Sequence, residues 1–137
     1  MTTRIYLDTS AVAKLFLNER ESQALRQWLA SQPEPTLMSS ALLGVELIRL
    51  LSLVNPSMIA AAESFLSGDV DIVEITTPLL SDATRVPPTR LRTLDAIHLA
   101  TARDLAETVN VLLTYDKLLA EAARTVGLTV QSPGATY

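Results

Sequence analysis

Four acidic residues stand where carboxylates could do chemistry. Asp8 and Asp116 each follow a short apolar run, Asp95 lies near the start of a predicted helix, and Glu46 is the only acid on a helix that is apolar almost all round. Gathered carboxylates repel one another and are costly to desolvate, so such a group is stable mainly when a hard cation such as Mg²⁺ or Mn²⁺ neutralises it. The residues alone therefore leave metal-assisted phosphodiester hydrolysis as one option among several.

Each acid also has a purely structural explanation. Asp8 or Ser10 could cap the helix that follows, because Asp and Ser are favoured at helix N-caps. Asp95 in a first helical turn is favoured by the helix dipole. Glu46 could form an exposed ion pair with Arg49 one turn away, worth only a few tenths of a kcal/mol. The choice depends on whether the four carboxylates reach one rim of the fold.

One histidine and a group of arginines surround the third acid. His98 is the only histidine and lies one turn after Asp95, so we expect it to orient a neighbour or hydrogen-bond within the core rather than to ligand a metal. Arg85, Arg90 and Arg92 concentrate positive charge just before Asp95 in an otherwise acidic chain. A solvated loop is the plain explanation of this charge, and phosphate contact is the functional one.

The elements that must position these residues alternate between strands and helices. An apolar run that ends in a carboxylate and leads into a helix is typical of a buried strand in an open α/β fold, where ligands bind at the carboxyl rim. Ser40 and Thr93 are the expected caps of the third helix and of the helix carrying Asp95. Residues 1–131 are predicted to form a single domain and residues 132–137 a flexible C-terminal tail. We predict strands at 4–7, 36–39, 70–75, 109–113 and 128–130, and helices at 11–16, 22–30, 41–54, 56–66, 77–85, 94–103 and 118–124.

Composition sets the bounds on function. The chain has 137 residues, 48% of them hydrophobic, and a mean hydropathy of +0.27, which fits one domain with a real core and a buried partner interface. With no cysteine and one histidine, thiolate and His-rich metal sites are excluded. The net charge of −4 means that nucleic-acid contact must rest on local basic patches. Neither a signal peptide nor the ~20 apolar residues of a membrane span is evident, so we expect a soluble cytoplasmic protein.

Four segments together resemble the PIN-domain ribonucleases, and most of all the VapC-type toxins of bacterial and archaeal toxin–antitoxin pairs. They are residues 7–11, the helix that carries Glu46, residues 94–100 and residues 113–117. The resemblance spans residues 5 to about 131. Ser10 and Thr114 match the hydroxyl residues that accompany the first and last acids of the family, whereas Tyr115 stands where smaller polar residues are frequent. Position by position, the acidic quartet of the family falls on Asp8, Glu46, Asp95 and Asp116, with none missing.

The resemblance implies a fold and an activity. The fold is α/β, a three-layer α/β/α arrangement with a central, mainly parallel sheet of four to five strands. The activity is that of a Mg²⁺- or Mn²⁺-dependent endoribonuclease that leaves a 5′-phosphate and a 3′-hydroxyl. Asp8, Asp95 and Asp116 would hold the metal directly or through water, and Glu46 would bind a second ion or orient the attacking water. Capping of the first helix would then fall to Thr9 or Ser10.

Partners also follow from the resemblance: an RNA substrate, a cognate VapB-type antitoxin and a second copy in a homodimer, with no membrane. The helix 42–53 and the helix carrying Trp28 are expected to form the dimer and antitoxin surfaces. The candidates for contact with the RNA backbone are Arg85, Arg90, Arg92 and Lys117. Two other readings stay open, a non-catalytic PIN-like interaction module and an aspartyl phosphotransfer domain. The second would need another acid two residues after Asp8, where Ser10 stands.

Overall fold

The computed structural model describes residues 2–136, which form five strands, seven α-helices and one 3₁₀ turn. The strands are β1 (Thr3–Leu7), β2 (Pro35–Ser40), β3 (Asp71–Val73), β4 (Val111–Leu113) and β5 (Val130–Gln131). The helices are α1 (Thr9–Phe16), α2 (Ser22–Ala30), α3 (Leu42–Val54), α4 (Ile59–Gly68), α5 (Thr77–Ala83), α6 (Thr93–Asp104) and α7 (Lys117–Thr125), and the 3₁₀ turn Pro56–Met58 leads into α4.

All strands of the described sheet run parallel, in the order β3-β2-β1-β4-β5. The chain lays down β1, β2 and β3 in one direction and then returns to the other side of β1 with β4. The strand order therefore reverses between β1 and β4, and in open α/β sheets ligands bind outside the carboxyl ends of the strands at this switch point. Leu7 pairs with Leu113 across the two strands, so the residues that follow both strands meet at that rim.

Alternating side chains of the sheet pack into two separate hydrophobic cores. Ile5 and Leu7 pack with residues of α1–α4, whereas Tyr6 packs with residues of α5–α7. Successive strand residues point to opposite faces, so one strand contributes to both cores. The three-layer α/β/α arrangement and the parallel sheet expected from the sequence are confirmed, with five strands.

The apolar helix α3 is buried on one side and exposed on the other. Leu43, Leu47 and Leu51 are fully buried, whereas Val45 and Leu53 are 63% and 84% exposed. A helix that is apolar on nearly every side needs cover on more than one face. The exposed stripe is therefore the part of α3 that the core leaves without cover.

Helix caps differ from expectation at two of the predicted positions. Helix α6 begins at Thr93 itself, after an extended Arg92 that makes no side-chain cap bond, so the expected Thr93 cap is wrong. The hydroxyl of Ser40 does accept a hydrogen bond from the Leu42 N–H at 3.1 Å, although Ala41 occupies the cap position of α3. A hydroxyl one residue earlier than the cap can therefore still satisfy a free N–H of the first turn.

The C-terminal segment described up to residue 136 lies against the rest of the domain. The Ser132 hydroxyl donates to the Thr114 carbonyl at 2.6 Å, and the Tyr115 hydroxyl donates to the Pro133 carbonyl at 2.7 Å. Residue 137, the end of the segment predicted to be flexible, lies outside the described residues. Within residues 2–136, no helix has the length and apolar character needed to cross a membrane.

Candidate active site

Asp8 lies buried directly after β1, with 2% of its surface exposed. Its Oδ1 accepts hydrogen bonds from the Ala11 N–H at 3.0 Å and the Ser10 hydroxyl at 2.7 Å, and its Oδ2 accepts one from the Thr114 hydroxyl at 2.6 Å. Asp8 is therefore the N-cap of α1, and the assignment of that cap to Thr9 or Ser10 is wrong. Burial raises the pKa of Asp8, against the opposing effect of these hydrogen bonds.

Thr114 connects Asp8 to Asp116. Its hydroxyl donates to Asp8 and accepts a hydrogen bond from the Asp116 N–H at 3.0 Å. Asp116 in turn caps α7, because its Oδ1 accepts from the Leu119 N–H at 2.8 Å. The β1–α1 and β4–α7 junctions therefore share one arrangement, in which an acid that follows a strand caps the next helix. Thr114 links the two junctions, because its hydroxyl bonds to the Asp8 carboxylate and to the Asp116 N–H.

Asp95 brings a third carboxylate to the same rim from the first turn of α6. Burial, together with the negative charges of Asp116 and Asp8, raises its pKa from 3.8 to about 6, against the opposing effect of His98 and Arg92. Three acids from three separate elements therefore share one electrostatic environment. Within residues 2–136, no hydrogen-bond donor reaches the Asp95 carboxylate.

Glu46 points from α3 toward α1 and α6. Its Oε1 accepts hydrogen bonds from the Thr9 hydroxyl at 2.6 Å and from His98 Nε2 at 2.8 Å. Burial opposes ionisation of Glu46, but the bonds from His98 and Thr9 outweigh it, so the pKa of Glu46 is lowered. The alternative of an exposed ion pair with Arg49 does not describe this side chain, which is only 21% exposed and held by other partners.

Tyr6 is a residue of this region to which the sequence reasoning gave no role. Its hydroxyl lies 2.8 Å from His98 Nδ1, and the two rings meet edge-on with their centroids 6.0 Å apart. Both side chains are buried, so His98 uses both ring nitrogens inside the protein. The sequence signal for this contact is the tyrosine within the apolar run of β1, because a buried tyrosine hydroxyl usually has a hydrogen-bond partner.

The basic candidates divide into two pairs. Arg92 immediately precedes α6 and lowers the pKa of Asp95 by its charge, and Lys117 is the first residue of α7, next to Asp116. Arg85 donates to the Ser81 hydroxyl at 3.0 Å and lines a cavity of about 490 Å³ between α5 and the start of α6. Arg90 lines another cavity, of about 240 Å³, beside α7. Arg92 therefore acts on the acids through its charge, Lys117 follows Asp116 in the chain, and the other two lie beside neighbouring cavities.

The four acids do not form a ready-made metal cage. In the described part of the chain, no three histidine, aspartate or glutamate side chains stand close enough to hold one ion between them. Three of them belong to two hydrogen-bonded groups instead, one joining Asp8 to Asp116 through Thr114 and the other joining Glu46 to His98, and Asp95 belongs to neither.

Five parallel strands between two helical layers, with carboxylates at the switch point between β1 and β4, define an α/β protein with an acidic rim site. The chain belongs to the PIN domain family, which its sequence matches over residues 5–125. The resemblance seen in the four sequence segments is thereby confirmed.

Three known proteins are similar to this chain. It is 43% identical over 132 residues to Ribonuclease VapC35 of Mycobacterium tuberculosis, covering 95% of this chain and 97% of that protein. The crystal structure of Mycobacterium tuberculosis VapC20, a sarcin-ricin loop cleaving toxin, superposes with a TM-score of 0.74 at 23% identity, covering 94% of this chain and 99% of that one. A chain of a toxin–antitoxin complex from Klebsiella pneumoniae superposes with a TM-score of 0.64 at 22% identity, covering 82% and 86%. The two structural likenesses show the shared fold.

Proposed function

We propose that the protein is a metal-dependent endoribonuclease that acts as a VapC-type toxin in the cytoplasm and is neutralised by a cognate VapB-type antitoxin. The observation that carries this proposal is the shared environment of Asp8, Asp95 and Asp116 at the switch point of a PIN fold. The relative that is 43% identical is named a ribonuclease, and the structural neighbour VapC20 is described as a toxin that cleaves the sarcin-ricin loop. RNA is therefore the substrate class that best fits the acidic rim.

The donor set fits a hard divalent cation. Its ligands are carboxylate oxygens, and in residues 2–136 no hydrogen bond reaches the Asp95 carboxylate, Glu46 Oε2 or Asp116 Oδ2. Mg²⁺ is usually bound through one or two carboxylates and keeps several waters, which suits acids that share a rim without forming a cage. Asp8, Asp95 and Asp116 would hold Mg²⁺, or Mn²⁺, directly or through water. When bound, the cation would lower the pKa of a water and stabilise charge on the phosphate.

The protein side chains supply orientation and charge placement. Asp8 is held in one orientation by three donors. Glu46, with a lowered pKa, stays ionised and can accept a hydrogen bond from a water that attacks phosphorus in line, although its low basicity makes it a better orienter than base. Breakage of the bond from phosphorus to the 3′ oxygen then leaves a 5′-phosphate and a 3′-hydroxyl. Arg92 and Lys117 are the candidates for contact with the flanking phosphates.

Neutralisation and self-association use apolar surface in this proposal. The exposed side chains of Val45, Leu53 and Val54 on α3 offer such a surface. An antitoxin that covers part of it could place an arginine among the rim carboxylates, where a guanidinium matches carboxylate geometry. The structural neighbour from Klebsiella pneumoniae, described as a toxin–antitoxin complex, supports an antitoxin partner. A homodimer would cover the remainder of this apolar surface.

RNA cleavage by the purified protein tests the proposal. The wild type, prepared without antitoxin, is expected to cleave RNA with Mg²⁺ or Mn²⁺ and to lose this activity with EDTA or on Asp95→Asn. Asp104→Asn is the matched control, because Asp104 is an exposed acid at the other end of the same helix. Cleavage by Asp95→Asn at the wild-type rate, in preparations from a strain lacking other ribonuclease contaminants, would contradict the proposal.

A further inference from the structure

The cavity of about 490 Å³ between α5 and the start of α6 has no role in the proposed mechanism. Cavities that hold small ligands have this size, and they are mostly apolar with a few polar groups. The buried residues that line this cavity are all apolar: Val86, Leu91, Ala96 and Ile97. Its exposed lining residues include one arginine and three threonines: Arg85, Thr84, Thr89 and Thr93. The cavity therefore has the composition of a binding site.

Two of the threonine hydroxyls are available to a ligand. Within residues 2–136, no hydrogen bond joins the hydroxyl of Thr89 or Thr93 to another protein group. The Thr84 hydroxyl, in contrast, donates to the Ser81 carbonyl at 2.6 Å. Proteins recognise unpaired RNA bases by packing against their flat faces and by hydrogen bonds to their edges. Apolar walls with hydroxyls beside them suit both kinds of contact.

The charge around the cavity favours a ligand that carries phosphate. The segment between α5 and α6 holds three of the 11 basic residues of the chain and none of its 15 acids. Among the described residues, Arg85 is the one charged side chain that lines the cavity. A second cavity of about 490 Å³ lies at the other end of α6, and there Arg103 is outnumbered by three acids, Asp82, Asp104 and Glu107. RNA is therefore attracted to the first cavity and repelled by the second.

Helix α6 connects this cavity to the acidic rim. Thr93, Ala96 and Ile97 are three and four residues apart and line the cavity from one face of the helix. Asp95 is in the first turn but on another face, and a helix with its side chains is only about 10–12 Å wide. An RNA strand whose phosphate lies at the acids can therefore pass the start of α6 and reach the cavity with a base a few nucleotides away.

We infer that this cavity binds one base of the RNA substrate near the cleaved bond and that Arg85 contacts the phosphate of the same nucleotide. Arg85 is exposed and donates to the Ser81 hydroxyl at 3.0 Å, which leaves its other N–H groups for a phosphate. A base held in this way makes cleavage depend on the RNA sequence. The inference rests on the proposed ribonuclease function and names the part of the protein that selects the cleavage site.

Ala83→Leu tests the cavity by filling it. Ala83 is the last residue of α5 and lines the cavity, so a larger side chain takes the space of the base. Mapping of the ends produced from random-sequence RNA should show, for the wild type, a preference of about 10-fold for certain bases at one position near the cut, as expected for one base contact. Ala83→Leu should lose this preference and still cleave RNA.

A matched control places the same change in the second cavity. Ala106 is exposed and lines that cavity, so Ala106→Leu adds the same atoms where no base is expected to bind. It should cleave with the base preference of the wild type. Melting temperatures of both variants show whether a change in preference is merely a loss of folded protein.

Arg85→Gln tests the phosphate contact. It should weaken the binding of all RNA sequences alike and reduce the slope of log K against log salt concentration by about 0.7, the value for one phosphate of a single strand. Arg103→Gln removes the same charge from the second cavity and should leave binding and slope unchanged. The probes are short oligo(A), oligo(C) and oligo(U), and their binding is measured by fluorescence anisotropy in EDTA.

Leu80→Asp keeps the inference testable if Ala83→Leu does not fold. Leu80 lines the cavity and is 44% exposed, so its replacement costs little core packing. The added negative charge should weaken RNA binding and remove the base preference. An unchanged preference in the folded filling variant and in Leu80→Asp would overturn the inference, as would equal treatment of all bases by the wild type.

A second copy of the chain is the other occupant that the experiment distinguishes. If sedimentation shows a wild-type dimer that Ala83→Leu and Leu80→Asp dissociate, with the base preference unchanged, the face binds another copy and the inference is overturned. A wild type that cleaves no RNA under any metal condition would reject the proposed function. Oligonucleotide binding that depends on the base, and loses this dependence in Ala83→Leu, would still establish the base site, so the two failures are distinguishable.

Discussion

The hydroxyl of Thr114 lies 2.6 Å from Asp8 Oδ2 and donates to it, although the two residues are 106 positions apart. The same hydroxyl accepts a hydrogen bond from the Asp116 N–H. One buried oxygen therefore sets the relative placement of the acids that follow β1 and β4. The parallel pairing of Leu7 with Leu113 brings the two strand ends into this register.

Thr114→Val is expected to disturb the site while preserving the shape of the side chain. It leaves the buried Asp8 Oδ2 without a donor and the partly buried Asp116 N–H without its acceptor, at a cost of about 1–3 kcal/mol. RNA cleavage should fall about 10- to 100-fold, as is typical when a group that holds a metal-site carboxylate is removed. Thermal unfolding and cleavage rates of purified protein measure both effects. Thr114→Ser keeps the hydroxyl and should restore most of the activity, and an equal loss in both variants would show that the methyl packing matters instead.

Asp8→Asn is expected to separate catalysis from capping. Its amide oxygen can still accept from the Ala11 N–H and the Ser10 hydroxyl, so α1 keeps its cap, while the charge is removed. RNA cleavage should be lost, and the melting temperature should not fall at neutral pH, because the raised pKa shows that the ionised Asp8 is unfavourable in the folded protein. Asp8→Ala also removes the cap and should be less stable than Asp8→Asn by about 1 kcal/mol. Equal stability of the two variants would contradict the capping role.

Asp95 should make the metal-free protein less stable as the pH rises. Its pKa is raised from 3.8 to about 6 in the folded state, so the folded protein holds this proton more tightly than the unfolded chain. The resulting stabilisation is fully present below pH 4 and is lost as the pH rises through about 6. Asp95→Asn does not ionise, and it should therefore melt higher than the wild type near pH 7, with the gain shrinking toward pH 4. Melting curves in EDTA at both ends of this range check the sign, and a gain that grows toward acid pH would refute it.

Much of the fold follows from local patterns in the sequence. Apolar runs that end in polar residues mark β1 and β4, and the helices begin within three residues of their predicted positions. The run predicted as a strand over 70–75 is a strand only at Asp71–Val73. β3 is an edge strand that pairs with β2 on one side alone, and Thr76 already caps α5. The length of β3 depends on its pairing with β2, and the local sequence pattern holds no information about that pairing.

The site is less accessible to sequence reasoning, because its contacts are long-range. The positions of the acids relative to strand and helix ends indicate a common rim. The hydrogen bonds that orient them join residues far apart in the chain: Tyr6 and His98 are 92 positions apart, and Thr9 and Glu46 are 37 apart. For Asp8, helix capping and a role in the site are also not alternatives. One carboxylate oxygen caps α1, and the other bonds to Thr114 at the site.

Mn²⁺ should stabilise the wild type if the acids bind a divalent cation. Binding to the folded state alone stabilises it by about 2.7 kcal/mol at a hundredfold excess over Kd, which raises the melting temperature by several degrees. The increase should disappear in Asp95→Asn and should weaken below about pH 6, where protons compete for the Asp95 carboxylate. Calorimetry with and without Mn²⁺ measures it. An unchanged melting temperature would favour the reading in which the protein is a non-catalytic interaction module.

Gly134→Ala is expected to detach the C-terminal segment from the site. Gly134 has a φ of +83°, and a Cβ built on it would lie 2.8 Å from the Cβ of Ala24 on α2, so the segment would have to move. Movement would break the bonds from the Ser132 hydroxyl to the Thr114 carbonyl and from Tyr115 to Pro133. We expect a stability loss of about 1–3 kcal/mol and slower RNA cleavage, because the segment holds the backbone of Thr114.

Gly68→Ala is the matched control for Gly134→Ala, because Gly68 ends α4 and nothing lies within 4 Å of the Cβ it would gain. Alanine favours a helix over glycine, so this variant should be at least as stable as the wild type and fully active. Hydrogen exchange at the Tyr115 and Asp116 amides reports the detachment directly and should accelerate only in Gly134→Ala. Wild-type exchange and activity in Gly134→Ala would show that the segment contacts the rim without holding it.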